Sequence, residues 1–164
     1  MQRPKIKMPY TGPEKLLQAG SVFLLLSTAA LTVSATASLP ARIPTHFGFD
    51  GSPDGWGGKE SLILLPMLSA VFYVGLTALE RFPWLYNYPV EITEKNAPDQ
   101  YRLGRRLIEW LKLVVLAIFS YLQWQTIEGA EGASVGLGVW FLPVAMAALF
   151  GGIVVMIRKM VKLK

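Results

Sequence analysis

The chain has 164 residues, 52% of them apolar, and a mean hydropathy of +0.40. This balance is too apolar for an ordinary soluble domain and is typical of a small polytopic membrane protein. The formal net charge of +5 would suggest nucleic acid or acidic partners in a soluble protein. Here the positions of Lys and Arg explain it better, so we expect no nucleic-acid partner. Because cysteine is absent, disulfides, thiol nucleophiles and Cys-ligated metals are excluded.

Four long apolar stretches predict an all-α, polytopic membrane protein with four transmembrane helices. The predicted spans are residues 16–38, 62–79, 107–127 and 135–157. The first stretch is uncharged and long enough to cross the hydrocarbon core with some tilt. The membrane domain covers 16–158, with a basic cytoplasmic arm at 1–15, an ordered extracytoplasmic loop at 39–61, a cytoplasmic loop at 80–106 and a basic tail at 159–164.

The beginning of the chain allows a second interpretation. The basic arm, the apolar run and the Ala35-Thr36-Ala37 sequence resemble a cleavable signal peptide. The apolar run is longer than the usual hydrophobic region of such peptides, which favours a retained helix. The orientation of the other helices is the same in both cases, and whether the first helix is removed stays open.

The third helix has a recognisable start in the sequence. Asn96 suits a helix cap, and Pro98 fits a first helical turn. An amphipathic stretch then leads into the third span. Its three arginines are predicted to reach lipid head-groups, and these are Arg102, Arg105 and Arg106.

The fourth span has two pairs of small residues at a spacing that allows close helix approach. Ala147 and Gly151 form one pair, and Ala148 and Gly152 form the other. A tight contact within the chain is the favoured interpretation, and a homo-oligomer seam is the alternative.

Lys and Arg are distributed unevenly between the segments outside the spans. They are concentrated in the arm, the middle loop and the tail, whereas the loop at 39–61 holds only Arg42 and Lys59. By the positive-inside rule, both termini and the middle loop are cytoplasmic and the 39–61 loop faces outside. We therefore expect a plasma-membrane protein whose immediate environment is the lipid bilayer.

The loop at 39–61 is neither apolar nor periodic, unlike the chain around it. Its sequence begins LPARIPTHFGFDGSPDGWGGK and contains the only histidine, His46. Pro40 and Pro44 favour a stiff, extended path before a glycine-rich turn. We predict that three aromatic residues dock this loop on the outer helix ends, since burying one ring contributes about 2–3 kcal/mol. These are Phe47, Phe49 and Trp56.

The motif LPxxIPxHF, followed by a Gly- and Asp-rich turn and a Lys, resembles the domain-of-unknown-function family at the N-terminal end of SdpI-type toxin-immunity membrane proteins. A second stretch, YPVEITEKNAPDQY from Tyr88 to Tyr101, is similar to the loop after helix two in such proteins. The resemblance implies an immunity or envelope-stress role, with a peptide toxin or membrane protein as partner. The residues that carry it are Leu39, Pro40, Ile43, Pro44, His46, Phe47, Gly51, Asp54, Gly55 and Lys59.

The candidate functional residues all lie in this outer loop. We predict no catalytic, cofactor-binding or metal-ligating residues, and no cofactor. The candidates for partner binding are Pro40, Arg42, Pro44, His46, Phe47, Asp50, Asp54, Trp56 and Lys59.

His46 permits several roles. Zinc sites normally use several nitrogen or sulfur ligands. Zinc ligation here would need His46 together with carboxylates such as Asp50, Asp54 or Glu60. A hydrogen-bonded structural histidine packed beside Pro44 and Phe47 is favoured. A pH-sensing role also stays open, because histidine titrates near neutrality.

The segment from Asp50 to Gly55 resembles the start of a calcium loop, with oxygen-bearing side chains at its first, third and fifth positions. Its twelfth position is Ser61 instead of the expected Glu, so turns built on Asp and Gly are favoured. An intramembrane enzyme that uses His46 with the loop carboxylates Asp50, Asp54 and Glu60 is kept as an alternative.

The leading functional prediction is a non-enzymatic integral membrane protein that acts through its outer loop. The alternative is a small transporter or channel subunit. It is disfavoured because the predicted spans carry no ionised residue near their midpoints, where ion-coupled transporters usually need one. Gln123, Gln125 and Glu128 are expected to form hydrogen bonds at the outer interface.

Overall fold

The computed structural model describes residues 3–132 and 136–163 and confirms the four-helix membrane fold. A two-stranded sheet separates the first two long helices. In chain order the elements are α1 (Gly12–Thr36), β1 (Arg42–Phe47), β2 (Pro53–Gly58), a short 3-10 helix (Lys59–Ile63), α2 (Leu64–Leu79), a 3-10 turn (Pro83–Leu85), α3 (Ala97–Ala130) and α4 (Phe141–Lys162).

The outer surfaces of the long helices are apolar. Four helices among the described residues are long and apolar enough to cross a membrane, α2 together with the 3-10 helix that precedes it. Large apolar side chains such as Phe23, Val33, Val74 and Val144 lie exposed on these helices. Lipid is the solvent that such surfaces fit. The chain is therefore a multi-pass membrane protein.

α3 is the central helix, because it packs against α1, α2 and α4. It runs parallel to α1, where the Thr28 and Ser120 hydroxyls share a hydrogen bond of 2.6 Å. It runs antiparallel to α2, where the Phe72 and Phe119 rings meet edge to face with centroids 5.7 Å apart. α1 and α3 therefore run in one direction and α2 in the other, as in an up-and-down bundle.

α4 packs on α3 through one of its two small-residue pairs. The Trp110 Nε1–H donates to the Ala148 carbonyl oxygen at 3.0 Å. A Cβ atom at Gly152 would lie only 2.2 Å from Trp110 Nε1, whereas one at Gly151 would meet nothing within 4 Å. The Ala148 and Gly152 pair thus serves a contact within the chain, while Gly151 faces open space.

Two helices begin earlier than their predicted spans. α1 starts at Gly12, inside the predicted arm, because Thr11 and Glu14 form a capping box in which the Thr11 N–H donates to the Glu14 carboxylate at 2.6 Å. α3 starts at Ala97, so the predicted amphipathic stretch is continuous with the span. Asn96 does precede this helix, but its side chain bonds to Thr93 and Glu91 instead of capping it.

The fourth helix begins later than predicted, at Phe141. Gly138 precedes it with a φ of 75°, a left-handed conformation that interrupts the chain before the helix. The predicted start at residue 135 lies outside the described residues.

The loop at 39–61 forms an antiparallel hairpin, which the sequence prediction did not contain. Arg42 pairs with Gly58, and Phe47 pairs with Pro53, with irregular register between them. Glycines of β2 allow this close pairing, since a Cβ atom at Gly55 would approach the His46 Cβ to 2.8 Å. The extended path expected around Pro44 is thus present, but as a paired strand.

Candidate functional site

The base of the hairpin is held by a small apolar cluster at one end of the bundle. Leu39 and Ile43 pack with Leu62 and Ile127, and all four are buried. Pro44 is also fully buried. Fully burying one such aliphatic side chain contributes about 1.5–3 kcal/mol. The Ile43-Pro44 segment is therefore the anchor of the hairpin.

A buried glutamine fixes the helix ends beneath this cluster. Gln123 Nε2 donates to Thr32 Oγ1 at 2.8 Å and to the Leu62 carbonyl oxygen at 3.1 Å. It joins α1, α3 and the 3-10 helix before α2, and it is fully buried. Gln123 therefore forms hydrogen bonds at this end of α3 as expected, but between helices instead of at the interface, because its amide satisfies polar groups there.

The tip of the hairpin contacts the segment before α4. The Leu137 N–H donates to the Gly51 carbonyl oxygen at 2.7 Å. Gly51 has a φ of 81°, and a Cβ atom there would lie 2.8 Å from the Gly138 nitrogen. Only glycine suits both the conformation and the close approach. The loop is thus docked at its base and at its tip.

Asp50 shapes the turn at this tip. Its Oδ1 accepts a hydrogen bond from the Ser52 N–H at 2.9 Å. That bond lowers the pKa of Asp50 below its ordinary value. The arrangement is the Asx turn that was favoured over a calcium loop.

His46 and Asp54 form a cross-strand pair on the surface of the hairpin. His46 Nδ1 lies 2.5 Å from Asp54 Oδ1, and the two side chains are 72% and 52% exposed. The histidine is hydrogen-bonded as expected, but its expected packing beside Pro44 and Phe47 is wrong, because the mostly exposed ring bonds to Asp54 across the hairpin. An exposed pair of this kind contributes at most about 1 kcal/mol to stability.

Two of the three predicted aromatic anchors point away from the protein. Phe49 is 94% exposed at the hairpin tip, and Trp56 is about half exposed. Phe47 is partly buried. The prediction that these rings dock the loop is wrong for Phe49 and Trp56, because Ile43 and Pro44 already occupy the apolar site at the helix ends.

A cleft of about 390 Å³ lies between the hairpin and the beginning of α4. One wall contains the His46 and Asp54 pair with Phe47 and Phe49. The opposite wall is apolar, and its members include Leu137, Phe141 and Leu142. The cleft therefore combines one polar pair with an aromatic and aliphatic lining.

The remaining candidates are spread along the hairpin. An Arg42 Nη atom donates to the Trp56 carbonyl oxygen at 3.4 Å, on the base of the hairpin. Pro40 is exposed before β1, and the Lys59 N–H donates to the Ala41 carbonyl oxygen at 3.0 Å. Thus the structure gathers His46, Phe47 and Asp54 at the cleft, and places Pro40, Arg42 and Lys59 elsewhere.

The part of the chain that the structure describes contains no assembled metal site. Within residues 3–132 and 136–163, no group of three His, Asp or Glu side chains is placed to hold a metal ion. His46 has one carboxylate neighbour, Asp54. A zinc ion usually takes four ligands, so this pair is an incomplete ligand set.

The opposite end of the bundle contains a buried charged cluster that sequence reasoning missed. Arg105 Nε and an Nη atom each donate to the Glu14 carboxylate, at 3.0 and 3.1 Å. Lys112 Nζ donates to Glu80 Oε1 at 2.7 Å, and both side chains are fully buried. The prediction that Arg105 reaches lipid head-groups is therefore wrong, because a carboxylate of α1 binds it inside the bundle.

The N-terminal segment closes over this cluster. Arg105 also donates to the carbonyl oxygens of Met8 and Pro9, at 3.0 and 3.1 Å. Tyr10 packs its ring under the Arg105 guanidinium, 4.4 Å from the centroid. Burial, and secondly the Glu80 charge, raise the pKa of the Tyr10 hydroxyl. The basic arm is thus a packed part of the fold.

The loop between α2 and α3 packs on the same end. The Tyr86 hydroxyl donates to the Leu79 carbonyl oxygen, and the Tyr88 hydroxyl to that of Pro83, both at 2.9 Å. Burial raises the pKa of both tyrosines. Gly104 makes room for them, since a Cβ atom there would lie 2.7 Å from the Tyr88 hydroxyl oxygen.

Comparison with known proteins gives a partial family match. Residues 23–70 match the family described as "Domain of unknown function (DUF1648)". This segment runs from within α1 through the hairpin and into α2. The match therefore supports the resemblance in its coarser form, a domain of unknown function that contains the 39–61 loop.

One relative is known only as an "Uncharacterized protein" of Archaeoglobus fulgidus. It is 31% identical over 94 residues, which cover 47% of this chain and 50% of the relative. The chain thus spans about half the length of this relative. No solved structure matches the chain. Neither finding names an SdpI-type protein, and neither assigns the immunity role that the resemblance implies.

The anchoring of the hairpin generates a test by limited proteolysis. Ile43→Ala should make residues 39–59 susceptible to protease, because removing a buried isoleucine side chain costs about 2–5 kcal/mol. The matched control is Phe49→Ala, which removes a larger but exposed side chain and should leave the segment uncut. The protein in nanodiscs would be digested and the cleavage sites mapped by mass spectrometry. Equal opening by both substitutions would contradict the assigned anchor.

Proposed function

We propose that the protein is a non-enzymatic membrane protein whose hairpin binds a cationic, amphipathic peptide, in a role like that of SdpI-type immunity proteins. The observation that carries the proposal is the cleft beside His46 and Asp54. A docked hairpin presents Phe49 to solvent at the edge of this cleft. Contiguous exposed apolar surface rimmed by polar groups is typical of an interaction site.

The chemistry of the surface favours such a peptide. Asp50 and Asp54 place two carboxylates near the exposed Phe49. The apolar wall of the cleft suits a large hydrophobic side chain, and the carboxylates suit lysine or arginine beside it. The hairpin is held at both ends, so little ordering is required on binding.

Binding is favoured over catalysis by the surroundings of His46. The described residues that line the cleft supply no hydroxyl or thiol beside the histidine. A histidine and carboxylate pair normally serves nucleophilic catalysis by activating such a group. We therefore propose that Asp54 orients His46 as part of a recognition surface.

The proposed role requires the hairpin to face outside the cell. We propose that both termini and the 80–106 segment are cytoplasmic, as the concentration of Lys and Arg in those segments predicts. The lipid bilayer surrounds the helices, and the peptide approaches from the extracellular side.

Sidedness is testable because the chain has no cysteine of its own. A membrane-impermeant maleimide applied to intact cells should label Cys introduced at the exposed Ser52. It should label Cys introduced at the exposed Glu94 only after lysis. Residue 134, between the third and fourth predicted spans, is also predicted to face outside, but it lies outside the described residues. Labelling of the Glu94→Cys variant from outside would reverse the proposed orientation.

Peptide binding is testable with a synthetic amphipathic peptide of lysine and leucine. We expect this fluorescent peptide to bind protein-containing nanodiscs more tightly than empty nanodiscs of the same lipid. Phe49→Ser and Asp54→Asn should each weaken the specific binding about tenfold, a loss of about 1.4 kcal/mol. The control is Leu85→Ser, which removes an exposed apolar side chain at the opposite end.

The outcomes separate peptide recognition from insertion into lipid. If Phe49 serves only to anchor the hairpin in the bilayer interface, Phe49→Ser will leave peptide binding unchanged. Binding equal to that of empty nanodiscs would contradict the proposed peptide class. Survival of peptide-treated cells that carry the wild-type protein, and killing of cells that carry Phe49→Ser, would connect binding with immunity.

A further inference from the structure

The buried charges of α3 lie on one face of that helix. Arg105, Glu109 and Lys112 are spaced so that each is about one turn from the next. Arg105 faces Glu14 of α1, and Lys112 faces Glu80 after α2, so this face points into the bundle. Glu109 lies between the two cations and is fully buried.

Both neighbouring cations are already occupied. Arg105 directs its guanidinium to Glu14 and to two carbonyl oxygens of the N-terminal segment. The three donors of the Lys112 ammonium are taken by Glu80, Gln18 and Thr77, at 2.7, 2.9 and 3.0 Å. Neither side chain has a hydrogen bond directed to Glu109.

Glu109 has a full set of unused acceptors. Both of its carboxylate oxygens are buried and have no hydrogen-bond partner among the described residues. With Glu14 and Glu80 it makes three buried carboxylates for two buried cations. An ionised carboxylate left unpaired in such a site costs several kcal/mol, so the site gains stability by taking up a positive charge.

We propose that Glu109 is a proton-binding site, neutral in the resting protein. The described residues offer no group of three carboxylates or histidines suited to a metal ion, so a proton fits the site better than a metal does. A neutral glutamic acid restores the balance of the cluster, with two carboxylates facing two cations. Ionisable groups buried among transmembrane helices often mark proton pathways.

The groups around Glu109 come from every element packed on this face. Arg106, three residues earlier, directs its guanidinium towards Thr11 Oγ1 at 3.5 Å. α4 packs on a different face of α3, through Trp110. The titratable and charged groups of the cluster and its rim are Tyr10 of the arm, Glu14 of α1, Tyr73 of α2, Glu80, Tyr86 of the following loop, and Arg105 and Lys112 of α3.

A route for the proton begins in a cavity of about 300 Å³ over the cluster. Met8, Tyr10, Glu80 and Arg105 contribute to its lining. The Tyr10 hydroxyl donates to Glu80 Oε2 at 3.4 Å, between the cavity and the buried charges. A hydroxyl can both accept and donate a proton, so Tyr10 and Glu80 connect solvent with the cluster.

Release of the proton has a structural consequence. An ionised Glu109 would compete with Glu14 for Arg105 and with Glu80 for Lys112. Those two ion pairs attach α3 to α1 and to the end of α2. Proton occupancy of Glu109 therefore controls how firmly this end of the bundle is closed.

Infrared difference spectroscopy tests the proposal directly. The protein in nanodiscs at neutral pH should show the C=O stretching band of a protonated carboxylic acid, although an ordinary glutamate, with a pKa of about 4.3, is ionised there. Glu109→Gln should remove the band while it preserves the shape and neutrality of the side chain. The control is Glu128→Gln at the other end of α3, which should retain the band.

A stability measurement provides the second readout. The folded protein holds a proton that the unfolded chain has lost at neutral pH, so its stability should fall as pH rises above about 4.3, the ordinary pKa of glutamate, until Glu109 itself ionises. The midpoint of thermal unfolding should fall less in Glu109→Gln. No band in the wild-type protein, or a band unchanged by Glu109→Gln, would overturn the proposal. If the band is missing and sodium salts stabilise the folded protein more than choline salts do, Glu109 binds a monovalent cation instead of a proton.

Discussion

Buried polar side chains along one face of α3 hold α1 and α2 against it. The hydrocarbon core offers no hydrogen-bond partner, so each buried polar group of a membrane helix must be satisfied within the protein. Arg105 and Lys112 find carboxylates at one end, and Gln123 finds Thr32 and Leu62 at the other. These contacts place α1 and α2 on α3 and leave their apolar surfaces to the lipid.

The two ends of the bundle satisfy this requirement with different groups. At one end, buried ion pairs are covered by the N-terminal segment, and Glu109 remains without a hydrogen-bond partner among the described residues. At the other end, Ile43 and Leu62 make an apolar seat for a hairpin that carries His46 and Asp54. A proton site and a peptide site would therefore be connected through α3, which contacts both ends.

The four helices could be predicted from the sequence, because a membrane-spanning helix needs a long run of apolar residues and such runs are easily recognised. It also indicated an ordered outer loop, since Pro40 and Pro44 restrict the chain locally. The exposed position of Phe49 was not predictable from hydrophobicity, because the turn from Gly48 to Ser52 decides which way the ring points. β2 was not predicted, because a strand is recognised by alternating apolar and polar side chains and Gly55 has no side chain to contribute to that pattern.

The buried cluster escaped prediction for a different physical reason. The helical spacing of Arg105, Glu109 and Lys112 was visible in the sequence, but spacing does not distinguish a face towards lipid head-groups from a face towards other helices. Glu14, the partner of Arg105, is distant in sequence, and its position near the start of α1 is that of an ordinary capping residue. Only the packing of α1 on α3 converts these side chains into ion pairs.

A double-mutant cycle on Glu80 and Lys112 tests most directly whether the polar face of α3 holds the bundle together. Unfolding of the protein in detergent would be followed for Glu80→Gln, Lys112→Met and the combined variant. We expect each single substitution to cost about 3–5 kcal/mol, because it leaves a buried group unpaired, and the combined variant to cost much less than the sum. Small and additive losses of stability would show that this ion pair does not hold α3 to the end of α2.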